Sequence, residues 1–191
     1  MNILVIALAA IITNNVVLSR FLGVCPLLGV SKKTENAIGM SLALIFVVVM
    51  SGILSYGFFH LVLAPLGLEY LELTSFILII AVFVQFVEMF LKKYVQGLYN
   101  ALGIYLPLIT TNCVVLLVAL ENITLGFNFL EMVVYSIAVP VGFMMVIVAF
   151  SIIRTRIDGD KRLPTPFKGN AIALIVVALM ALAFAGFGGI V

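Results

Sequence analysis

The chain has 191 residues, 65% of them hydrophobic and only 9% charged, with a mean hydropathy of +1.36. Those values exclude a water-soluble domain. The net charge of +2 comes without a basic groove carrying interleaved aromatics, so nucleic acid is not a partner, and the chain has no Walker loop, dinucleotide fingerprint or hydrolase elbow.

A hydrocarbon core about 30 Å thick takes about 20 helical residues to cross. Six apolar runs are long enough: Ile3 to Val30, Ala37 to Leu63, Thr74 to Leu91, Leu98 to Leu120, Phe129 to Ile153 and Ala171 to Val191. Leu42 to Met50 shows no period of two, which reads as helix rather than barrel strand. The predicted fold is therefore an all-α integral membrane protein of six transmembrane helices, without a soluble domain.

The first run lacks a basic leader and is longer than the 7 to 15 apolar residues of a signal core, so it is expected to stay uncleaved. At about 1.5 Å per residue, Thr13, Asn14 and Asn15 fall near mid-membrane. Arg20 lies deep in the same run. Leu22-Gly23-Val24-Cys25-Pro26 follows, and a straight helix would carry Cys25 about 33 Å, to the cytoplasmic interface. Gly23 and Pro26 are expected to break the helix and keep Cys25 deep.

His60, the lone histidine, falls at the outer end of the second span and reads as an interfacial side chain. Glu88 in the third span is an intramembrane acid with Gln85 one turn away, but Lys92 four residues on also makes it an ordinary helix ion pair. In the fourth span Gly103 and Pro107 predict a second break, followed by Thr111, Asn112 and Cys113 slightly past mid-membrane. Asp158-Gly159-Asp160, after the fifth span, lacks the other positions of a calcium loop and reads as a polar turn.

Nine of the ten basic residues (Lys32, Lys33, Lys92, Lys93, Arg154, Arg156, Lys161, Arg162, Lys168) follow the first, third and fifth spans, whereas Glu69, Glu72, Glu121 and Glu131 occupy the opposite loops. The positive-inside rule then puts both termini on the non-cytoplasmic side.

Ile11 to Leu18 recurs as Ile109 to Leu116 with six identities in eight, at an offset of 98. With three spans per half, a duplication gives two inverted repeats, about 1–95 and 96–191, with broken helices one and four as symmetry mates. Paired interrupted helices point to a central site.

The residues leave the two cysteines open to several readings. A disulfide suits an oxidising compartment, which membrane depth is not. Free cysteine is commonly a small buried hydrophobe. As thiolates they are too few for an iron–sulfur cluster, which takes four, so a metal reading requires a second protein. Thr13, Asn14, Asn15, Thr111, Asn112 and Glu88 are candidates for an ion path or for the surroundings of a bound group. Inverted repeats with mid-membrane Thr and Asn also describe an ion or small-solute carrier without a redox centre, and a membrane scaffold is a third class.

Phe21 to Pro26, Gly29-Val30-Ser31-Lys32-Lys33, Tyr99 to Ile104, Leu106 to Cys113 and Pro166 to Ile175 resemble the A subunits of Rnf electron-transport complexes over essentially the whole chain; the E subunit of the sodium-pumping NADH:quinone reductase is similar. The resemblance implies pairing with a homologous subunit of Rnf E type in opposite orientation, in the cytoplasmic (inner) membrane of a prokaryote. It implies that Cys25 and Cys113, with two partner cysteines, bind an intramembrane [2Fe-2S] cluster. It also implies a complex that couples electron transfer from ferredoxin to NAD⁺ with export of Na⁺ or H⁺, a translocase to which this chain contributes as a non-autonomous component. Leu117 departs from the pattern, standing where a small residue is expected. On that reading, helix N-termini of the broken segments offset the cluster's charge, and the chain forms half of an electron relay.

Overall fold

The structure, a computed structural model, describes residues 3–31, 34–67, 69–94, 108–109, 112–158 and 169–186. Regular structure among them is helical throughout, as a bilayer demands: with no water to satisfy backbone N–H and C=O groups, the bonds close within each segment. The chain is an all-α integral membrane protein.

The first span is in pieces: α1 (Ile3–Leu8), a π turn (Ala9–Thr13), α2 (Val16–Arg20) and α3 (Val24–Val30). The second is α4 (Thr34–Phe58), continued by a π turn (Phe59–Leu63) and α5 (Ala64–Leu66). After a short 3-10 turn come α6 (Glu72–Tyr94), α7 (Cys113–Thr124), α8 (Phe129–Asp158) and α9 (Asn170–Ala185). Three stretches are long and apolar enough to cross a membrane, Thr34–Leu66, Glu72–Phe90 and Phe129–Ile157; α7 and α9 are shorter apolar helices. The predicted break at Gly103 and Pro107 lies outside the described residues.

Helices α4 and α8 pack along each other at the centre. α7 packs on α4, while α1 and its π turn pack on α8; α6 lies against α4 and α7, and α9 against α2 and α8.

The core between them is filled by Phe76, Phe143, Phe150, Leu27, Met40 and Leu44. Ile77, Leu78, Val82 and Phe86 on α6 point outward, apolar surface of the kind that hydrocarbon solvates. Ser41 and Ser51, buried on α4, donate to the carbonyls of Ala37 and Val47 at 2.7 Å, which satisfies each hydroxyl within its own helix. His60 is exposed beside the Tyr56 ring, with centroids 4.3 Å apart.

Glu72, Lys92, Lys93, Glu121, Glu131, Arg154 and Arg156, assigned above to loops, are helical, and Glu121 and Arg154 are part of the packing. Glu121 lies inside α7, its side chain 14% exposed. Arg154 lies inside α8 and is 3% exposed; its Nη1 donates to Leu28 O and Ser31 Oγ, both at 2.7 Å, and its Nη2 to Asn170 Oδ1 at 3.3 Å. The guanidinium fork thus joins the end of α3 to the start of α9, where carbonyl dipoles at a helix C-terminus favour a cation.

Candidate cysteine site

The first span breaks twice. In the π turn the Asn14 N–H reaches back to Ala9 O at 2.7 Å, and Asn15 then turns extended (φ −62°, ψ 118°), so the helix stops. Asn15 restarts it as an N-cap, its Oδ1 accepting from Val17 N at 3.1 Å. Its Nδ2 donates to Ile11 O at 3.1 Å and to Gly142 O at 2.9 Å, which ties the break to α8. A Cβ on Gly142 would lie 3.1 Å from both Asn15 Nδ2 and Ile11 O, so glycine permits this approach.

The second break separates α2 from α3. Phe21 is left-handed (φ 53°), the N–H groups of Phe21 and Leu22 both reach Val16 O, and Gly23 follows at φ 80°. Pro26 plays no part in it: as the third residue of α3 it sits in the first turn, where a missing N–H costs nothing. Cys25, beside it, is exposed.

Cys113 is the first residue of α7 and is partly exposed. Asn112 caps that helix, its Oδ1 accepting from Val114 N at 3.0 Å. The capping role therefore pairs Asn15 with Asn112, one residue out of the sequence register, which pairs Asn14 with Asn112. The backbone N–H of Gly23 donates to Cys113 Sγ at 3.0 Å. The two cysteine-bearing segments, far apart in sequence, are thereby joined two residues before Cys25. A Cβ at Gly23 would stand 2.8 Å from Phe143 Cε2 and 2.9 Å from Val114 Cγ2.

Of the other predicted site residues, Thr13 ends the π turn, and Asn14 is exposed on a cavity of about 660 Å³ between the broken span and α9, lined also by Leu18, Ser19, Phe21 and Ala181. Glu88 is half-buried on α6. Thr111 lies outside the described residues. Leu117 is half-buried against the main core.

Two polar contacts have no counterpart in the sequence reading. Arg20 forms an ion pair with Glu121, whose other oxygen accepts from Tyr135 Oη. One residue further along each helix, Asn122 Nδ2 donates to Ser136 Oγ at 3.1 Å. These two rungs join α7 to α8. Their only sequence signal was Arg20 itself, a cation at membrane depth that requires a partner.

Among the described residues no group of three or more His, Cys, Asp or Glu could hold a metal ion. The two thiols lie on segments joined by the Gly23–Cys113 bond, Cys25 exposed and Cys113 partly exposed, and two thiolates are half of the four that an iron–sulfur cluster takes.

Residues 3–191 match the family described as Rnf-Nqr subunit, membrane protein. The chain is 52% identical over 188 residues to the A subunit of the ion-translocating oxidoreductase complex of Aliivibrio salmonicida, covering 98% of this chain and 97% of that one. The protein of the same name from Shewanella sediminis is 50% identical with the same coverage, and that from Thioalkalivibrio sulfidiphilus is 52% identical over 186 residues, 97% of this chain and 96% of that one.

Proposed function

The chain belongs to the Rnf-Nqr family of membrane subunits, and from that premise we propose that it is the A-type component of an Rnf ion-translocating ferredoxin:NAD oxidoreductase. In this reading Cys25 and Cys113 supply two of the four thiolates of a [2Fe-2S] cluster, and a homologous subunit of E type supplies the other two. The bound cluster would accept and release one electron at a time between cofactors on the two membrane faces, coupled to Na⁺ or H⁺ export. The site lies in the cytoplasmic membrane, both termini outside, in two inverted repeats, about 1–95 and 96–191.

The observation that carries the reading is the bond from Gly23 N–H to Cys113 Sγ. It holds the segment of the exposed thiol, Cys25, against the helix start of the second thiol, and a backbone N–H aimed at sulfur is the kind of donor that a metal-bound thiolate accepts. The chain's own residues do the rest: Asn15 and Asn112 cap the broken helices, and Arg154 anchors the far end of α3.

Iron and acid-labile sulfide, with an EPR spectrum of the reduced sample, test this on the chain purified with its membrane partner. About two of each per pair, lost in both Cys25→Ala and Cys113→Ala, is the expected result. Iron without sulfide would mean a mononuclear site, and no iron in an intact pair would return the carrier reading, with Asn14 facing the cavity beside α9.

A further inference from the structure

The two thiols do not have equal surroundings. Cys113 Sγ accepts the backbone N–H of Gly23 at 3.0 Å, whereas among the described residues no donor meets the sulfur of the exposed Cys25. Cys113 stays partly exposed with that bond in place, so the bond does not enclose the residue.

The donor is held from behind. A Cβ built on Gly23 would stand 2.8 Å from Phe143 Cε2 and 2.9 Å from Val114 Cγ2, so its backbone is wedged between α8 and the first turn of α7. One residue before Phe143, the carbonyl of Gly142 accepts from Asn15 Nδ2 at 2.9 Å, which ties the start of α2 to the same stretch of α8. The packing of the fold therefore fixes this N–H in place, and in a site of low dielectric a fixed donor is worth more than it would be in water.

We propose that the backbone amide of Gly23 is a redox-linked clamp: it raises the reduction potential of the group held at Cys113, and reduction in turn tightens the docking of the first span on α7. The inference rests on the iron–sulfur reading proposed above. One electron arriving from reduced ferredoxin adds one negative charge, which the ligating sulfurs share, and a donor to sulfur stabilises that state more than the oxidised one. Reciprocity makes the two effects one quantity. If the bond favours the reduced state about tenfold, the potential stands about 59 mV higher and the bond opens about tenfold less often after reduction. Gly23 acts through the thiolate, so it is a positioning residue.

The test uses the complex expressed with ¹⁵N-glycine and poised in each redox state. Pulsed EPR of the reduced wild type should show a ¹⁵N hyperfine coupling that Gly23→Ala, carrying ¹⁴N at that position, loses. Phe143→Leu, which leaves Gly23 in place, should keep it. Hydrogen exchange at the Gly23 amide should slow about tenfold on reduction. In a redox titration Gly23→Ala should have a midpoint lower by about 59 mV, and an unchanged midpoint counts against the proposal. A cluster signal without glycine ¹⁵N coupling, or equal exchange in both redox states, overturns the proposal. Absence of any cluster signal from the intact wild-type pair overturns the iron–sulfur reading beneath it, so the two failures are distinguishable. Should Gly23→Ala fail to assemble, the isotope and exchange measurements on the wild type decide.

Discussion

The N–H of Gly23 and the Sγ of Cys113 stand 3.0 Å apart although 90 positions separate them in the chain. One hydrogen bond therefore records the docking of the broken first span on the start of α7. The break before Cys25 also needs a glycine: a φ of 80° is left-handed backbone that glycine adopts without a Cβ penalty, and the missing side chain leaves room for the Phe143 ring.

Gly23→Ala should consequently destabilise the protein by about 2–4 kcal/mol, adding a left-handed alanine to overpacking against a buried phenylalanine. Phe143 is only 1% exposed and has little room to yield. A thermal melt of the detergent-solubilised protein measures this, and an unchanged midpoint would contradict the geometry.

Arg20 and Glu121 should be coupled. Arg20→Met leaves a mostly buried carboxylate and Glu121→Gln leaves a half-exposed guanidinium at membrane depth, so each single variant should lose about 1–3 kcal/mol, the half-exposed arginine discounting the figure for a fully buried pair. The double variant should be less damaged than the two losses added together. A double-mutant cycle by thermal or denaturant unfolding reads the coupling.

Asn15 does two jobs that substitution can separate. Asn15→Ala should cost about 1–2 kcal/mol through loss of the cap alone, and more through the lost bonds to Ile11 and Gly142. Asn15→Ser restores the cap oxygen but not those bonds, and should fall between wild type and alanine. The ranking is measurable by unfolding in a single detergent.

Arg154→Lys keeps the charge but replaces a planar fork by a point donor that cannot serve Leu28, Ser31 and Asn170 together. Hydrogen exchange should rise at the end of α3 and in the first turn of α9 while the centre of α4 stays protected. Protection unchanged at both ends would show that the fork joins nothing.

Much of the architecture was legible because hydropathy and backbone satisfaction are local properties. The breaks were read only in part: Gly23 was found, but the π turn before Asn14 was not, since Ala9 to Thr13 contains no helix breaker. Pro26 misled for the opposite reason, being harmless in a first turn. The repeat was visible as a string of identities, yet capping geometry shifts its register by one residue, because a cap is defined by the backbone it serves and not by the residue's name.

From the sequence alone followed the apolar runs, the helical nature of those among the described residues and the two cysteine segments, since a residue's cost in hydrocarbon depends on its own chemistry and that of its near neighbours. Only the tertiary structure decided which polar groups meet: Gly23 with Cys113, Arg20 with Glu121, Arg154 with Leu28, Ser31 and Asn170. Each pair spans helices whose relative placement is set by the packing of α4 and α8 and the glycines that permit close approach. Those distances are sums over many contacts, and no single stretch of sequence carries them.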